Sequence, residues 1–157
     1  MILGQVFSPK GINTHLESTE KDEVLEEMVE EFITLDPSLN RSVILEAILE
    51  RESKLSTGIG HGVAVPHGMT SGFSGVRGVI GISREGVDFD SLDKAPVHLI
   101  FMLISGPQDC EYHLQIIKRL AQVLELPGFM ETIASKTTAQ DIYDALIQFE
   151  ETIVVTA

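Results

Sequence analysis

Residues 97–104 read Val-His-Leu-Ile-Phe-Met-Leu-Ile, an almost unbroken apolar run. A strand with one wet face alternates polar and apolar side chains, whereas a strand covered on both faces does not. The run therefore predicts an interior strand, and an interior strand needs packed layers above and below it. A second strand candidate spans Val76 to Ser83, Val63-Ala64-Val65 forms a short buried one, and Val87 to Phe89 suggests an edge strand.

The covering layers come from helical periodicity. Between Glu20 and Leu35, the residues Val24, Leu25, Met28, Val29, Phe32 and Ile33 fall on one face. Ser18 or Thr19 is placed to cap that helix, and Asp36-Pro37-Ser38 ends it. A second helix is predicted from about Arg41 to Arg51, with Val43, Ile44, Ala47 and Ile48 inward. Arg51 continues that inner face, four residues after Ala47, so its stem lies along buried surface while its guanidinium emerges. Gly106-Pro107-Gln108-Asp109 opens a third long helix, with Asp109 as its N-cap, running to about Leu126. Its inner stripe is His113, Ile116, Ile117, Leu120, Val123 and Leu124, so a histidine heads an apolar face one or two turns inside the helix. Thr138 and Asp141 form a capping box for a last helix carrying Ile142, Ala145, Leu146 and Phe149, and Thr152 to Thr156 is either a short strand or a frayed tail. The expected fold is a single α/β domain over residues 1–157, a three-layer sandwich with a mixed sheet between two helical layers.

Composition narrows the function. A formal net charge of −13 argues against general nucleic-acid binding and against anionic membranes. A basic protein partner suits such a surface better. No stretch approaches the ~18 apolar residues of a membrane span, and the opening Met-Ile-Leu-Gly-Gln-Val-Phe lacks the basic flank of a signal peptide, so a soluble cytoplasmic protein is expected. A single cysteine, Cys110, cannot form an internal disulfide, and a small buried role is expected for it.

Chemistry centres on the histidines at 15, 61, 67, 98 and 113. His67 sits between a proline and a glycine at the end of the Val63–Val65 strand, where the backbone is held and local bulk is absent. Neutral imidazole can attack phosphorus near pH 7 and yields a labile bond, so such a residue can pass a phosphoryl group onward. Phosphoryl transfer also needs fixed donors around the equatorial oxygens. Arg51 offers a planar fork and His113 a second donor. Taken singly, each has a plainer reading: a turn histidine, a helix-end cation, a core histidine. Gly58-Ile59-Gly60-His61-Gly62 follows a helix and opens a strand, the reverse of a nucleotide-binding loop, and is expected to bring backbone close to the His67 pocket. A zinc site from His61, His67 and His113 is the chemical rival, without the usual ligand spacing. No cofactor is expected.

Arg51-Glu52, followed by Ser-Thr-Gly-Ile-Gly-His-Gly-Val-Ala-Val-Pro-His-Gly over residues 56–68, closely resembles the active-site signature of type-2 enzyme IIA domains. These form the fructose/mannitol and nitrogen-regulatory class of the bacterial phosphotransferase system. His113-Leu114 and the helix behind them resemble the family's second histidine helix, and Lys21 with its helix matches the usual opening; the likeness covers about residues 5 to 150. The resemblance implies that His67 accepts a phosphoryl group from phospho-HPr, assisted by His113 and Arg51. It implies either a regulatory role, in which protein targets are bound according to phosphorylation state, or onward transfer to an enzyme IIB in sugar transport. The single-domain form favours the regulatory type, and a binding module without catalysis is a third reading.

Overall fold

The computed structural model describes residues 1–156. Its elements are α1 (Leu3–Val6), a 3-10 turn (Pro9–Gly11), β1 (Ile12–Asn13), α2 (Lys21–Leu35), α3 (Arg41–Lys54), β2 (Gly58–Gly60), β3 (Val63–Ala64), β4 (His67–Met69), β5 (Val76–Val87), β6 (Val97–Ser105), α4 (Cys110–Leu124), α5 (Phe129–Ser135) and α6 (Ala139–Thr156). The strands form one mixed sheet in the order β1-β5-β6-β3-β2, with β4 also paired to β6. β5 and β6 are antiparallel, while β3 and β4 run parallel to β6, one after the other.

Side-chain parity along β6 divides the core in two. Leu99, Phe101 and Leu103 pack with α1, α4, α5 and α6 on one face. Ile100, Met102 and Ile104 pack with α2 and α3 on the other, where Val97 joins them out of alternation, because the amides of His98 and Leu99 both donate to the Gly62 carbonyl and break the regular register there. The apolar run thus serves two cores at once, and the three-layer sandwich is the architecture observed.

Several local features differ from the sequence reading. Neither Ser18 nor Thr19 caps α2; Glu20 occupies the N-cap without a side-chain bond. The nearby amides of Glu17 and Ser18 instead donate to the Glu27 carboxylate, which lies on the helix itself. Val43 is exposed, and Ile44 and Ile48 carry α3's buried face. Asp109 stands at the N-cap of α4 but its carboxylate accepts from Gly75 N–H at 2.7 Å, tying the helix start to the strand entering the sheet. Val87 belongs to β5, paired with Val97 beyond an irregularity, and no separate strand covers 88–89. The tail from Thr152 continues α6 rather than forming a strand, and Ala157 lies outside the described residues. Thr138 does accept from Asp141 N–H at 3.1 Å, as a capping residue should.

Gly78 in β5 marks a close approach in the core. A Cβ there would lie 2.2 Å from Cε1 of Phe7, whose buried ring is itself held edge-on against Phe101 at 5.6 Å between centroids. Overpacking of this kind costs about 1–3 kcal/mol. Gly78→Ala is expected to lower unfolding stability by that amount in a urea titration, with the folded far-UV spectrum unchanged.

Candidate functional site

The site begins with an interruption. β3 pairs with β6 through Val63 and Ala64, and β4 resumes the pairing at His67 opposite Leu103. Between them Pro66 has no amide hydrogen to give, although its carbonyl accepts from Leu103 N–H at 3.0 Å. Val65 turns its amide to the Thr57 carbonyl, and its own carbonyl is left out of the β6 ladder. That carbonyl lies 2.9 Å from Nδ1 of His67. A carbonyl oxygen only accepts, so Nδ1 carries the hydrogen and Nε2 carries the lone pair.

Two helices complete the surroundings. α3 lies so close to β4 that a Cβ on Gly68 would meet the Ala47 carbonyl carbon at 3.1 Å. Arg51, one turn beyond Ala47, thereby reaches the same hollow as His67. Its Nη1 donates to the Leu55 carbonyl at 2.8 Å, and among the described residues no carboxylate lies within ion-pair distance of it. From the other side, α4 brings His113, whose ring sits edge-on to His67 with centroids 5.1 Å apart. His113 lies in the first turn of α4, nearer its start than expected, so the ring stands beside the helix's electropositive end. The hollow has a volume of about 370 Å³, and Lys54, Met69, Ser105, Cys110 and Leu114 also reach it.

Electrostatics keep both rings neutral. Burial pushes the His67 imidazole below its ordinary range, Arg51's charge acts in the same direction, and the bond to Val65 and the Glu52 charge work against them. His113 is driven down to about 4, by burial first and by the neighbouring His67 second. A pair of neutral imidazoles beside a guanidinium can present one nucleophilic nitrogen and several donors to an anion with multiple oxygens.

The structure thus brings His67, Arg51 and His113 together. It does not bring His61 to them: His61 is exposed at the tip of the β2–β3 hairpin and borders a different hollow with Ile59 and Leu124. The glycine-rich segment is that hairpin, turned by positive φ at Gly60, His61 and Gly62, and it does not line the His67 hollow. Among the described residues no group of three or more His, Cys, Asp or Glu side chains is arranged to hold a metal ion. Cys110, expected to be buried, is exposed at the rim. Ser105 and Lys54 were not singled out from the sequence. Ser105 closes the apolar β6 run just before the turn into α4, which was the available signal.

The family model of the phosphoenolpyruvate-dependent sugar phosphotransferase system, EIIA 2, matches residues 5–149. The chain belongs to this family. It is a phosphotransferase component of the phosphoryl-carrier kind. This EIIA domain is 30% identical over 149 residues to the nitrogen regulatory protein of Pseudomonas aeruginosa, covering 94% of this chain and 96% of that one. It is 32% identical over 151 residues to the fructose-specific EIIABC component of Bacillus subtilis, covering 96% of this chain but 24% of that longer protein. The crystal structure of the nitrogen regulatory protein IIA-Ntr from Neisseria meningitidis superposes with a TM-score of 0.86 at 29% identity, covering 93% of this chain and 99% of that one. Among the described residues, no helix is long and apolar enough to cross a membrane.

The depressed imidazoles make a linked prediction. In the unfolded chain a histidine titrates near ~6.5, so below that pH the unfolded state binds more protons than the folded one. Folding stability contributed by neutral His113 is therefore complete above about pH 6.5 and is lost as pH falls toward about 4. Urea midpoints should drop through this window, and the drop should be smaller in His113→Gln. An NMR titration should place the His113 midpoint at about 4.

Proposed function

We propose that His67 is the phosphoryl acceptor of this EIIA domain, that Arg51 and His113 assist it, and that the domain is regulatory, acting on protein targets in the cytoplasm. The observation that carries the proposal is the 2.9 Å contact between His67 Nδ1 and the Val65 carbonyl, which leaves Nε2 as the bare nucleophile. The donor is a phosphohistidine protein of the HPr type. In the transfer, the Nε2 lone pair forms the new P–N bond while the donor's P–N bond breaks and its electron pair stays on the donor ring. The His67 ring gains positive character as the bond forms. Its Nδ1–H then donates more strongly to Val65, an interaction that favours the transition state over the ground state.

Arg51 and the Nε2 edge of His113 meet the equatorial oxygens, where charge is spread during transfer. Lys54 adds a second cation at the rim, tempered by Glu50, which lines the same hollow. The regulatory assignment is supported by the near end-to-end match to the nitrogen regulatory protein and by the close superposition on IIA-Ntr. The transport alternative, in which a IIB partner receives the phosphoryl group, is supported by the match to the fructose-specific component and uses the same pocket.

Incubation with phosphoenolpyruvate, enzyme I and HPr is expected to add one acid-labile phosphoryl group, read by mass spectrometry at neutral pH, and His67→Ala to abolish it. Labelling that persists in the mutant, or that requires ATP directly, excludes the assignment. Arg51→Ala and His113→Ala are expected to fold but to transfer roughly a hundredfold more slowly, the usual cost of removing one preorganised donor. The phosphorylated and His67→Ala proteins should capture different partners in a pull-down. Quantitative discharge onto a sugar-specific IIB would select the transport role.

A further inference from the structure

We propose that Ser105 is a positioning residue: its hydroxyl donates to His113 Nδ1, which fixes the hydrogen of His113 on Nε2 and turns that edge into a neutral donor for the phosphoryl group. The inference rests on the reading of His67 as acceptor and adds a residue that this reading does not contain.

The argument is a count of hydrogens. Ser105 Oγ lies 2.8 Å from His113 Nδ1, and Ser105 is fully buried. Among the described residues that ring nitrogen is the hydroxyl's one side-chain or backbone partner. If His113 Nδ1 carried the hydrogen and donated to Ser105, the hydroxyl hydrogen would have no acceptor, since Ser105 itself is fully buried at the base of the hollow. A buried unmade hydrogen bond of this kind costs about 1–3 kcal/mol. With Ser105 donating, its hydrogen is satisfied and the hydrogen of the neutral ring sits on Nε2. That Nε2 is buried and has no partner, so this tautomer leaves one polar group open, whereas the other leaves two, the hydroxyl hydrogen and the Nε2 lone pair.

A second consideration gives the same answer. Every oxygen of a phosphoryl group on His67 is an acceptor, so a bare Nε2 on His113 would face those oxygens with a lone pair, whereas an Nε2–H meets them as a donor. The two rings then hold opposite tautomers. His67 keeps Nδ1–H on the Val65 carbonyl and exposes its lone pair; His113 has its Nδ1 lone pair on Ser105 and offers Nε2–H.

Ser105 is fit for the task because its backbone cannot drift. It pairs with Val76 of β5 on one side and Met69 of β4 on the other, and its carbonyl accepts from Thr70 N–H at 2.9 Å. The hydroxyl is thereby fixed relative to the strand that carries His67. A neutral ring is required for this arrangement, and the burial that holds His113 down to about 4 supplies one at neutral pH.

The test is the tautomer itself, read from long-range proton–nitrogen spectra of the whole 15N-labelled chain at pH 7, with signals assigned by His67→Gln and His113→Gln. Wild-type His113 should show the hydrogen on Nε2, and His67 the hydrogen on Nδ1. In Ser105→Ala, which adds no bulk, His113 should shift toward Nδ1–H or a mixture. Its transfer rate from phospho-HPr should fall about tenfold, less than the roughly hundredfold of losing the donor itself. Added to His113→Gln, the same substitution should change the rate little. An Nδ1–H tautomer in wild-type His113 overturns the proposal. So does a Ser105→Ala protein that keeps the Nε2–H tautomer, or one whose rate loss adds fully to that of His113→Gln, since either marks a merely structural role. Failure of wild-type protein to label on His67 would instead count against the acceptor assignment, and the tautomer spectra would still decide the place of Ser105's hydrogen.

Discussion

Everything at the site hangs from β6, because this strand is hydrogen-bonded along both edges and buried on both faces. β5 occupies one edge for nearly its whole length, and β3 followed by β4 occupies the other. Such a strand has no freedom to shift without breaking two ladders and two cores together. His67 is registered against Leu103, Ser105 ends the strand, and α4 with His113 departs a few residues later. The two histidines belong to segments 46 positions apart in sequence, yet both are referred to the same three residues of β6. Precision of this kind cannot be supplied by loops, whose backbone lacks a second ladder to hold it.

The neutral rings have to be reconciled with a chain whose formal charge is −13. A uniformly negative environment would raise a nearby imidazole's pKa and blunt it as a nucleophile at neutral pH. Two carboxylates flank Arg51 in sequence: Glu50 lines the hollow, and Glu52 is turned away from it and paired elsewhere, so that its pull on His67 is the smallest of the influences there. Glu52 is buried, accepts from Thr57 through its amide and hydroxyl, and pairs with Lys21 Nζ at 2.9 Å. Arg51, its neighbour, emerges on the other side of the helix end without such a partner and keeps its positive potential for the hollow. Burial dominates the rings' own titration, and Arg51 adds to it at His67. An acidic protein thus holds a hollow in which two cations, Arg51 and Lys54, face one carboxylate, Glu50, while Glu52 is paired with Lys21.

How much of this could be read from the chain depends on the range of each interaction. The Val97–Ile104 run needs no partner to be recognised, and it correctly required two covering layers. Helical stripes were legible for the same reason, since a period of 3.6 residues is a local property. The caps were not. Asp109 had the right type and place for α4, but Gly75, 34 residues earlier at the entry to β5, claims its carboxylate instead. Neither Ser18 nor Thr19 serves the first amides of α2, and the chain ahead of the helix is instead held by Glu27, whose carboxylate accepts from the amides of Glu17 and Ser18. His67 was legible through Pro66 and Gly68, and Arg51 through its spacing from Ala47. Ser105 was not, for a serine at the end of an apolar run looks like a strand terminus until a histidine eight residues on is seen to reach it.

The same physical distinction separates the chemistry of this domain from its biology. Pocket chemistry depends on atoms whose surroundings the fold determines: a carbonyl released by a proline, a hydroxyl held between two ladders, a guanidinium left unpaired. Partner choice depends on the surface around the pocket mouth, where Met69 is 54% exposed and Leu114 62% exposed. These two apolar side chains flank the hollow from β4 and α4, with Lys54 nearby on α3. On the proposed assignment of His67 as acceptor, any donor or acceptor must cover them to bring its own reacting atom to that ring, and covering exposed apolar surface contributes to association whichever partner does it. Adding about two negative charges at His67 changes the potential at the centre of that patch without moving its rim. Under the proposed function a single surface would receive a donor in one state and hold a target in the other, and discrimination between them would fall to charge at the centre rather than to shape at the edge.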